Sequence, residues 1–385
     1  MATVKTSDRI SCNTSRDLIL SCSRGRPLSK IRRMFRRVVI TLTVILVSSL
    51  SFAQTGQTLD IYFIDVEGGQ ATLIVTPSRQ TMLVDAGFAS DGDFTSKPGD
   101  PLQARDARRI LAAIRDAGVD HIDYLWATHY HGDHIGGVTE LAQLIPVRTF
   151  IDRGELSATT NDAQVKETFA TYALARAKGK HIEARPGELL PLKGVQAVVV
   201  SSGGKIVSSA LSAGGRQNSW CRPKDNVRAA DSENSLSAGF VLQFGKFRFL
   251  DLGDLTDKPL ADLFCPNDLV GPIDVYLVPH HGGADIADRS VYGADAPTAA
   301  IVNNGRTKGG DPPTLSTLHS LDSTDVWQLH SSANEGAQNF ADERIANLDE
   351  STSFWIHVTA KSDGSFVVNN PRTHTTKRYP PRKSS

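Results

Sequence analysis

Cysteine is scarce in this chain, long apolar runs are scarcer, and both shortages narrow what it can be. Four cysteines occur in 385 residues, and two of them, Cys12 and Cys22, lie within the first 53. Removal of that segment leaves Cys221 and Cys265, a pair that reads as a disulfide in an oxidising compartment. Cys221 as a metal ligand is the weaker alternative, because no second cysteine or histidine stands near it. The longest apolar run, residues 38–50, has thirteen residues, well short of the roughly twenty that cross a bilayer as a helix. The many apolar spans of a helical membrane channel are therefore lacking. No internal repeat and no linker divides the rest, which reads as one domain over residues 54–370, with an extension at 1–53 and a basic, Pro-rich tail at 371–385 expected to be disordered.

Excess charge of either sign is also missing, but only in the sum. Lys/Arg and Asp/Glu number 42 each, whereas residues 1–53 carry ten basic and two acidic groups; residues 54–385 therefore hold 32 basic and 40 acidic groups. The body of the protein is acidic, which argues against a surface built for nucleic acid. The basic end reads as a targeting segment. Met34-Phe35-Arg36-Arg37 forms a short positive region before the apolar run, and Ser51-Phe52-Ala53 ends in a small residue. That order describes a signal peptide starting at Met34 and cleaved after Ala53, and hence export to the periplasm or beyond. An uncleaved anchor is the alternative. Arg32-Arg33-Met34-Phe35 faintly resembles a twin-arginine export motif if the longer start is used.

What the chain does have is concentrated at Thr128-His129-Tyr130-His131-Gly132-Asp133-His134. Three imidazoles and a carboxylate fall within six positions, directly after an apolar strand-like run at 122–127. In an extended segment His129, His131 and Asp133 share a side, and a turn at Gly132 brings His134 towards the same space. Nitrogen and oxygen donors so crowded suit one or two borderline ions, zinc foremost and manganese as the alternative. A polar loop merely rich in histidine is the competing explanation. Two later segments end strands in further donors. Phe247 to Leu252 leads into Gly253-Asp254, where the carboxylate either bridges two ions or caps a turn. Asp274 to Val278 leads into Pro279-His280-His281-Gly282-Gly283, where His280, first off the strand, is the preferred ligand and His281 the preferred proton donor or substrate contact.

The remaining pattern alternates strands and helices. Apolar runs at 59–66 and 71–76 flank Gly68-Gly69 as a hairpin, and 81–84 ends at Asp85-Ala86-Gly87. Helical spacing covers 104–117 and stops at Gly118; further helices are expected at 138–144, 162–178 and 315–321. Strands are expected at 189–200, 236–244, 246–252, 274–278, 299–303, 326–329 and 353–359, with 201–234 as a long irregular stretch.

The His-x-His-x-Asp-His pattern resembles the signature loop of the metallo-β-lactamase superfamily, and the later segments resemble its other motifs in matching order. The likeness runs from about Leu59 to Thr359. It implies an α/β fold, an αββα sandwich of two mixed sheets flanked by helices with metals at one edge. It also implies roles: His129 and His131 on one zinc, Asp133, His134 and His280 on the other, Asp254 bridging, and Asp85 hydrogen-bonding the metal loop from behind. One departure stands out. Most members place another histidine between the first loop and the bridging aspartate, whereas His181 is the only histidine between 134 and 280 and comes too early. In its place stands Ser232-Glu233-Asn234-Ser235, which, with Asp65-Val66-Glu67-Gly68-Gly69 and the His280-His281 segment, resembles the metallo-hydrolase domain of DNA-uptake competence (ComEC-type) proteins. Asn234 is then either a weak oxygen ligand or a turn residue.

These implications make the chain a metal-dependent hydrolase that activates water against a phosphodiester or similar ester. A small-molecule lactone or ester hydrolase is the alternative, and a degenerate metal-binding protein without catalysis is the competing class. Flavin-linked oxygen chemistry normally needs an acidic ligand in the first loop, which is absent. His181, His319, His330, His357 and His374 read as surface histidines without a role. No signal bears on oligomeric state.

Overall fold

Parallel strands that share a sheet end side by side, and the architecture uses this to gather side chains distant in sequence. The computed structural model describes residues 57–90, 104–157, 160–222 and 232–383. The expected targeting segment at 1–53 and part of the 88–103 and 201–234 loops lie outside these residues. The first half of the chain forms β1 (Leu59–Phe63), β2 (Thr72–Val75), β3 (Thr81–Val84), α1 (Arg105–Asp116), β4 (Ile122–Trp126), α2 (Gly132–Ile135), α3 (Val138–Leu144), β5 (Val147–Asp152), α4 (Ala163–Arg176) and β6 (Lys180–Glu183). The second half forms β7 (Gln196–Ser202), β8 (Lys205–Ile206), β9 (Arg216–Gln217), β10 (Gly239–Phe244), β11 (Phe247–Asp251), α5 (Asp257–Phe264), β12 (Asn267–Asp268), β13 (Val275–Leu277), β14 (Ala299–Val302), α6 (Pro312–His319), β15 (Asp325–His330), β16 (Ile345–Asn347), β17 (Ile356–Ala360), β18 (Phe366–Asn370) and β19 (Thr375–Tyr379).

Two mixed sheets result, ordered β19-β18-β17-β1-β2-β3-β4-β5-β6 and β16-β15-β14-β13-β11-β10-β7-β8. Alternation along β1 explains the layering: Leu59, Ile61 and Phe63 face the inter-sheet core with Phe240, Phe249 and Trp327, while Tyr62 faces the helices on the other side. Those helices supply Ile110 and Ile114 of α1, Leu141 of α3 and Phe169 and Tyr172 of α4. Leu260 and Leu263 of α5 and Leu315 and Leu318 of α6 cover the outer face of the second sheet. The arrangement is the expected helix–sheet–sheet–helix sandwich. Trp126 joins the sheets, its Nε1 donating to Ala238 O at 3.1 Å. No helix among the described residues is long and apolar enough to cross a membrane.

Local sequence explains most boundaries. Gly118 takes φ +64° just past α1, the left-handed conformation a helix end favours, and Asp162 Oδ1 caps α4 by accepting from Gln164 N and Val165 N at 2.8 and 3.2 Å. Helix α6 starts three residues earlier than its apolar spacing indicates, because Pro312 and Pro313 occupy its first turn. Strands β5, β6 and β18 are not among those expected from the sequence, although Thr149-Phe150-Ile151 and Phe366-Val367-Val368 are strand-prone.

The tail requires a correction. Residues 375–379, expected to be disordered, form β19 paired antiparallel to β18. Basic composition concealed an alternating strand: Tyr379 stacks on Phe366 with centroids 4.4 Å apart and accepts a hydrogen bond from Trp327 Nε1 at 3.2 Å, while Lys377 pairs with Asp325. The other open question is resolved as well, since Cys221 and Cys265 form a disulfide with Cα atoms 5.7 Å apart. It closes a loop of 44 residues, for which chain entropy gives about 4 kcal/mol. The double Cys221→Ser/Cys265→Ser variant is expected to lose roughly 2–4 kcal/mol in urea unfolding; an unchanged midpoint would refute this.

Candidate metal centre

The donors sit where strands of both sheets terminate. Parallel β3 and β4 end together, presenting Asp85 beside Thr128 and His129. Parallel β11 and β13 end together in the other sheet, presenting Asp254 beside His280 and His281. Gly253 permits the junction: its φ is +55°, and a Cβ there would lie 2.6 Å from Thr128 Cβ. Gly69 packs as closely, since a Cβ would lie 2.4 Å from Asp133 O.

The first loop does not stay extended through Asp133. After His131 the chain enters α2, so Asp133 and His134 project from a helical turn. Four buried groups, Asp133, His134, Asp254 and His281, bring one donor atom each to within 4.8 Å of the others. His134 Nε2 lies 3.1 Å from Asp254 Oδ2 and 3.4 Å from Asp133 Oδ2. His281 Nε2 lies 3.2 Å from each of the same oxygens and 3.3 Å from His134 Nε2. For metal–ligand bonds of about 2.0–2.2 Å, a tetrahedron has edges of about 3.3–3.5 Å; the donor set fits such an ion. A second grouping adjoins it. His129 Nε2 stands 2.9 Å from His131 Nδ1 and 3.8 Å from Asp254 Oδ2, and the buried Asp254 Oδ1 has no partner.

The paired histidines exchange the places expected of them. His281, not His280, joins Asp133, His134 and Asp254. Both residues adopt left-handed backbone, φ +49° and +54°, so strand alternation ceases at Pro279 and the turn directs the second ring inward. His281 is buried, 1 % exposed. His280 sits at the rim, with Nδ1 2.9 Å from both Asp285 oxygens and Nε2 3.1 Å from Asn234 Nδ2 and 3.9 Å from Asp254 Oδ2. Asn234 Oδ1 is buried without a partner.

Behind the donors, Asp85 Oδ1 accepts from Thr128 N at 2.8 Å, and Oδ2 accepts from Thr128 Oγ1 at 2.7 Å and lies 2.7 Å from His134 Nδ1. The last contact fixes the imidazole so that Nε2 faces the cluster. Burial opposes charge on His134, yet Asp254, Asp133 and Asp85 together hold its pKa well above the ordinary value; the pocket favours a cation. Burial and the neighbouring His134 and His131 push His129 well below it. Burial would raise Asp133, but the Lys308 ammonium and His134 keep it well below the carboxylate range, and His134 and His281 do the same for Asp254.

Three contributors escaped the sequence reading. Lys308 pairs with Asp133 Oδ2 and donates to Gly68 O at 2.7 Å; its only sequence signal is a setting among Gly305, Gly309 and Gly310. Glu233 accepts from Tyr130 N at 2.9 Å and pairs with Arg153 at 2.7 Å, clamping the first loop to the Asn234 segment. His330, expected at the surface, is fully buried. Its Nε2 lies 2.8 Å from Asp65 Oδ1 and 3.2 Å from Glu67 Oε2, and Arg109 pairs with both carboxylates. This group holds the 65–69 loop against Lys308. The other unassigned histidines stay outside the centre, with His181 paired to Asp152 at 2.8 Å and His357 to Asp60 at 3.1 Å.

Residues 64–206 match the model of the metallo-beta-lactamase superfamily, and the two flanked sheets are consistent with that sandwich. Among solved structures the chain is similar to CmlA, a diiron beta-hydroxylase from Streptomyces venezuelae, at 15 % identity and TM-score 0.42 over 71 % of this chain and 53 % of that one; it thus spans about half the length of CmlA. It is also similar to the metallo-beta-lactamase fold protein YhfI from Bacillus subtilis, at 10 % identity and TM-score 0.39 over 71 % and 96 % of the two chains. A third is MEM-A1, a subclass B3 metallo-beta-lactamase from a soil metagenome library, at 15 % identity and TM-score 0.33 over 60 % and 81 %. No curated protein matches the chain significantly.

Proposed function

We propose that the chain is an exported, binuclear metal-dependent phosphodiesterase. His129, His131 and Asp254 would hold one ion, Asp133, His134 and His281 the other with Asp254 shared, and zinc suits the donors best, with manganese as the alternative. When bound, such ions lower the pKa of water towards neutrality and stabilise charge developing on oxygen. The observation that carries the substrate class is Lys308, a half-exposed ammonium held over Asp133, where it suits the non-bridging oxygens of an anionic ester better than a neutral lactone. Likeness of three segments to competence-type domains supports the same choice.

The protein groups divide the remaining work. Asp133, kept ionised by Lys308 and His134, would orient the attacking water. His280 stands at the rim; burial lowers its pKa, but Asp254 and Asp285 outweigh this and raise it, so its ring suits proton donation to the leaving oxygen. Asp85 holds the His134 tautomer. Export is supported by the signal-like segment and by the Cys221–Cys265 disulfide.

The test is metal content of the purified protein with hydrolysis of bis(p-nitrophenyl) phosphate, before and after chelation. About two ions per chain and turnover abolished by chelator are expected; metal without phosphodiester turnover would sink the substrate class, and no metal would sink the whole reading. Lys308→Met is expected to bind metal more tightly, because a competing cation is gone, while kcat/KM for the anionic diester falls about 10–100-fold. An unchanged kcat/KM would remove Lys308 from substrate recognition.

A further inference from the structure

A wide cleft lies at the other end of the second sheet from the candidate metal centre. Arg248 near the start of β11 lines it, whereas Asp254 follows that strand's far end; at about 3.3 Å per residue the two regions stand on the order of 15 Å apart. This open cleft of about 1000 Å³ is lined by Arg216, Lys246, Arg248, Arg289, Arg382 and Lys383 against two carboxylates, Asp274 and Asp295. Such an excess of cations within an acidic chain body calls for an anionic occupant.

The charges differ in availability. Arg248 is committed to the scaffold, donating to Pro272 O and Val270 O at 2.8 and 2.9 Å, as is Arg382, which donates to Thr298 Oγ1 at 3.1 Å and Ala296 O at 2.9 Å. Arg382 also pairs with Asp274 at 3.2 Å, and Arg216 pairs with Asp295. Lys246 and Lys383 are exposed and make no ion pair among the described residues. The buried Arg248 Nε has no partner. Burial lowers the pKa of Arg248, Arg289 and Arg382, so local carboxylates do not fully offset the loss of water.

An aromatic group is fixed at the rim. Trp220 is 46 % exposed, with the Arg289 guanidinium 4.6 Å from its ring centroid. It is not a loose surface residue: its neighbour Cys221 is tied to Cys265, and Asn218 Nδ2 donates to Phe264 O and Ser290 O at 3.1 and 2.9 Å. Rigid indole and arginine beside exposed lysines form the combination that stacks a planar base and pairs its phosphates.

We propose that this cleft binds ligands joining several phosphate groups to a planar base, supplied either as a free nucleotide or as a nucleic-acid strand. The site is separate from the candidate hydrolytic centre and does not depend on the reading of that centre.

The experiment titrates the full-length protein, as purified and again after chelation, with ATP and with the oligonucleotide (dT)12 at low salt, by calorimetry and tryptophan fluorescence. Trp126 and Trp327 are fully buried and Trp355, partly buried, packs against Tyr62 on the helix side of the first sheet, so quenching at the cleft reports on Trp220 and should vanish in Trp220→Phe while calorimetric binding remains measurable. Binding of either probe, unaffected by chelation and weakened about tenfold or more in Lys246→Glu/Lys383→Glu, supports the site. ATP alone would identify the free nucleotide as the source, and much tighter (dT)12 binding a strand. Absence of binding by both probes, equal binding by the charge-reversed variant, or loss of binding on chelation would each overturn it.

Discussion

Asp254→Ala is expected to abolish hydrolysis and strip both ions. Asp254 Oδ2 lies 3.1 Å from His134 Nε2, 3.2 Å from His281 Nε2 and 3.8 Å from His129 Nε2, so no other single oxygen serves both donor groupings. Its removal leaves the neighbouring imidazoles short of negative charge and the two positions unlinked. Turnover should fall on the order of 10³-fold or more, equivalent to about 4 kcal/mol of barrier, with metal content well below that of the parent. Asp254→Asn, nearly isosteric, guards against a folding defect and should show the same loss if charge is what matters. Either variant retaining full metal and turnover would refute a bridging role.

The second large effect separates the paired histidines. His281→Ala should lose about one ion per chain and most activity, because His281 Nε2 reaches both Asp133 and Asp254 at 3.2 Å. His280→Ala should keep its metal and lose roughly 10²-fold in kcat, with the fall steepest where a general acid is needed. The sign of the pH effect follows from its raised pKa: proton donation is available below that pKa and fades as pH rises through it, so the variant should lose the alkaline decline of the parent's profile. If His280→Ala instead loses the ion, the turn after Pro279 rearranges on metal binding and His280 is the ligand after all.

Much of this was legible in the sequence because it is local. Six positions from His129 to His134 announce a donor cluster, Asp85 and Asp254 follow apolar strands, and the alternation of β1, β10 and β11 is plain. What escaped depends on contacts that spacing does not encode. His280 and His281 differ by one residue, and only the two left-handed backbones after Pro279 decide which ring turns inward. Lys308 meets Asp133 across 175 residues and Glu233 meets Tyr130 across 103. His330 was misread for the same reason, as its partner Asp65 lies 265 residues away. The basic cleft was invisible for another reason: its cations are scattered from Arg216 to Lys383, so no window of sequence looks basic although the fold collects them. The tail shows the converse error, in which Lys377 and Arg378 suggested disorder while Thr375, Lys377 and Tyr379 supplied strand alternation.

The donors' division between two sheets makes the interior a remote determinant of affinity. Three histidines and Asp133 arrive from the first sheet, and Asp254 and His281 from the second, so the ions would act as rivets across a seam whose spacing is set by Phe63, Phe240 and Phe249. Ligation favours only the closed seam, which links metal binding to folding. Thinning that aromatic filling should therefore loosen the rivets before it unfolds the protein. Metal occupancy becomes a gauge of how well the two halves are packed.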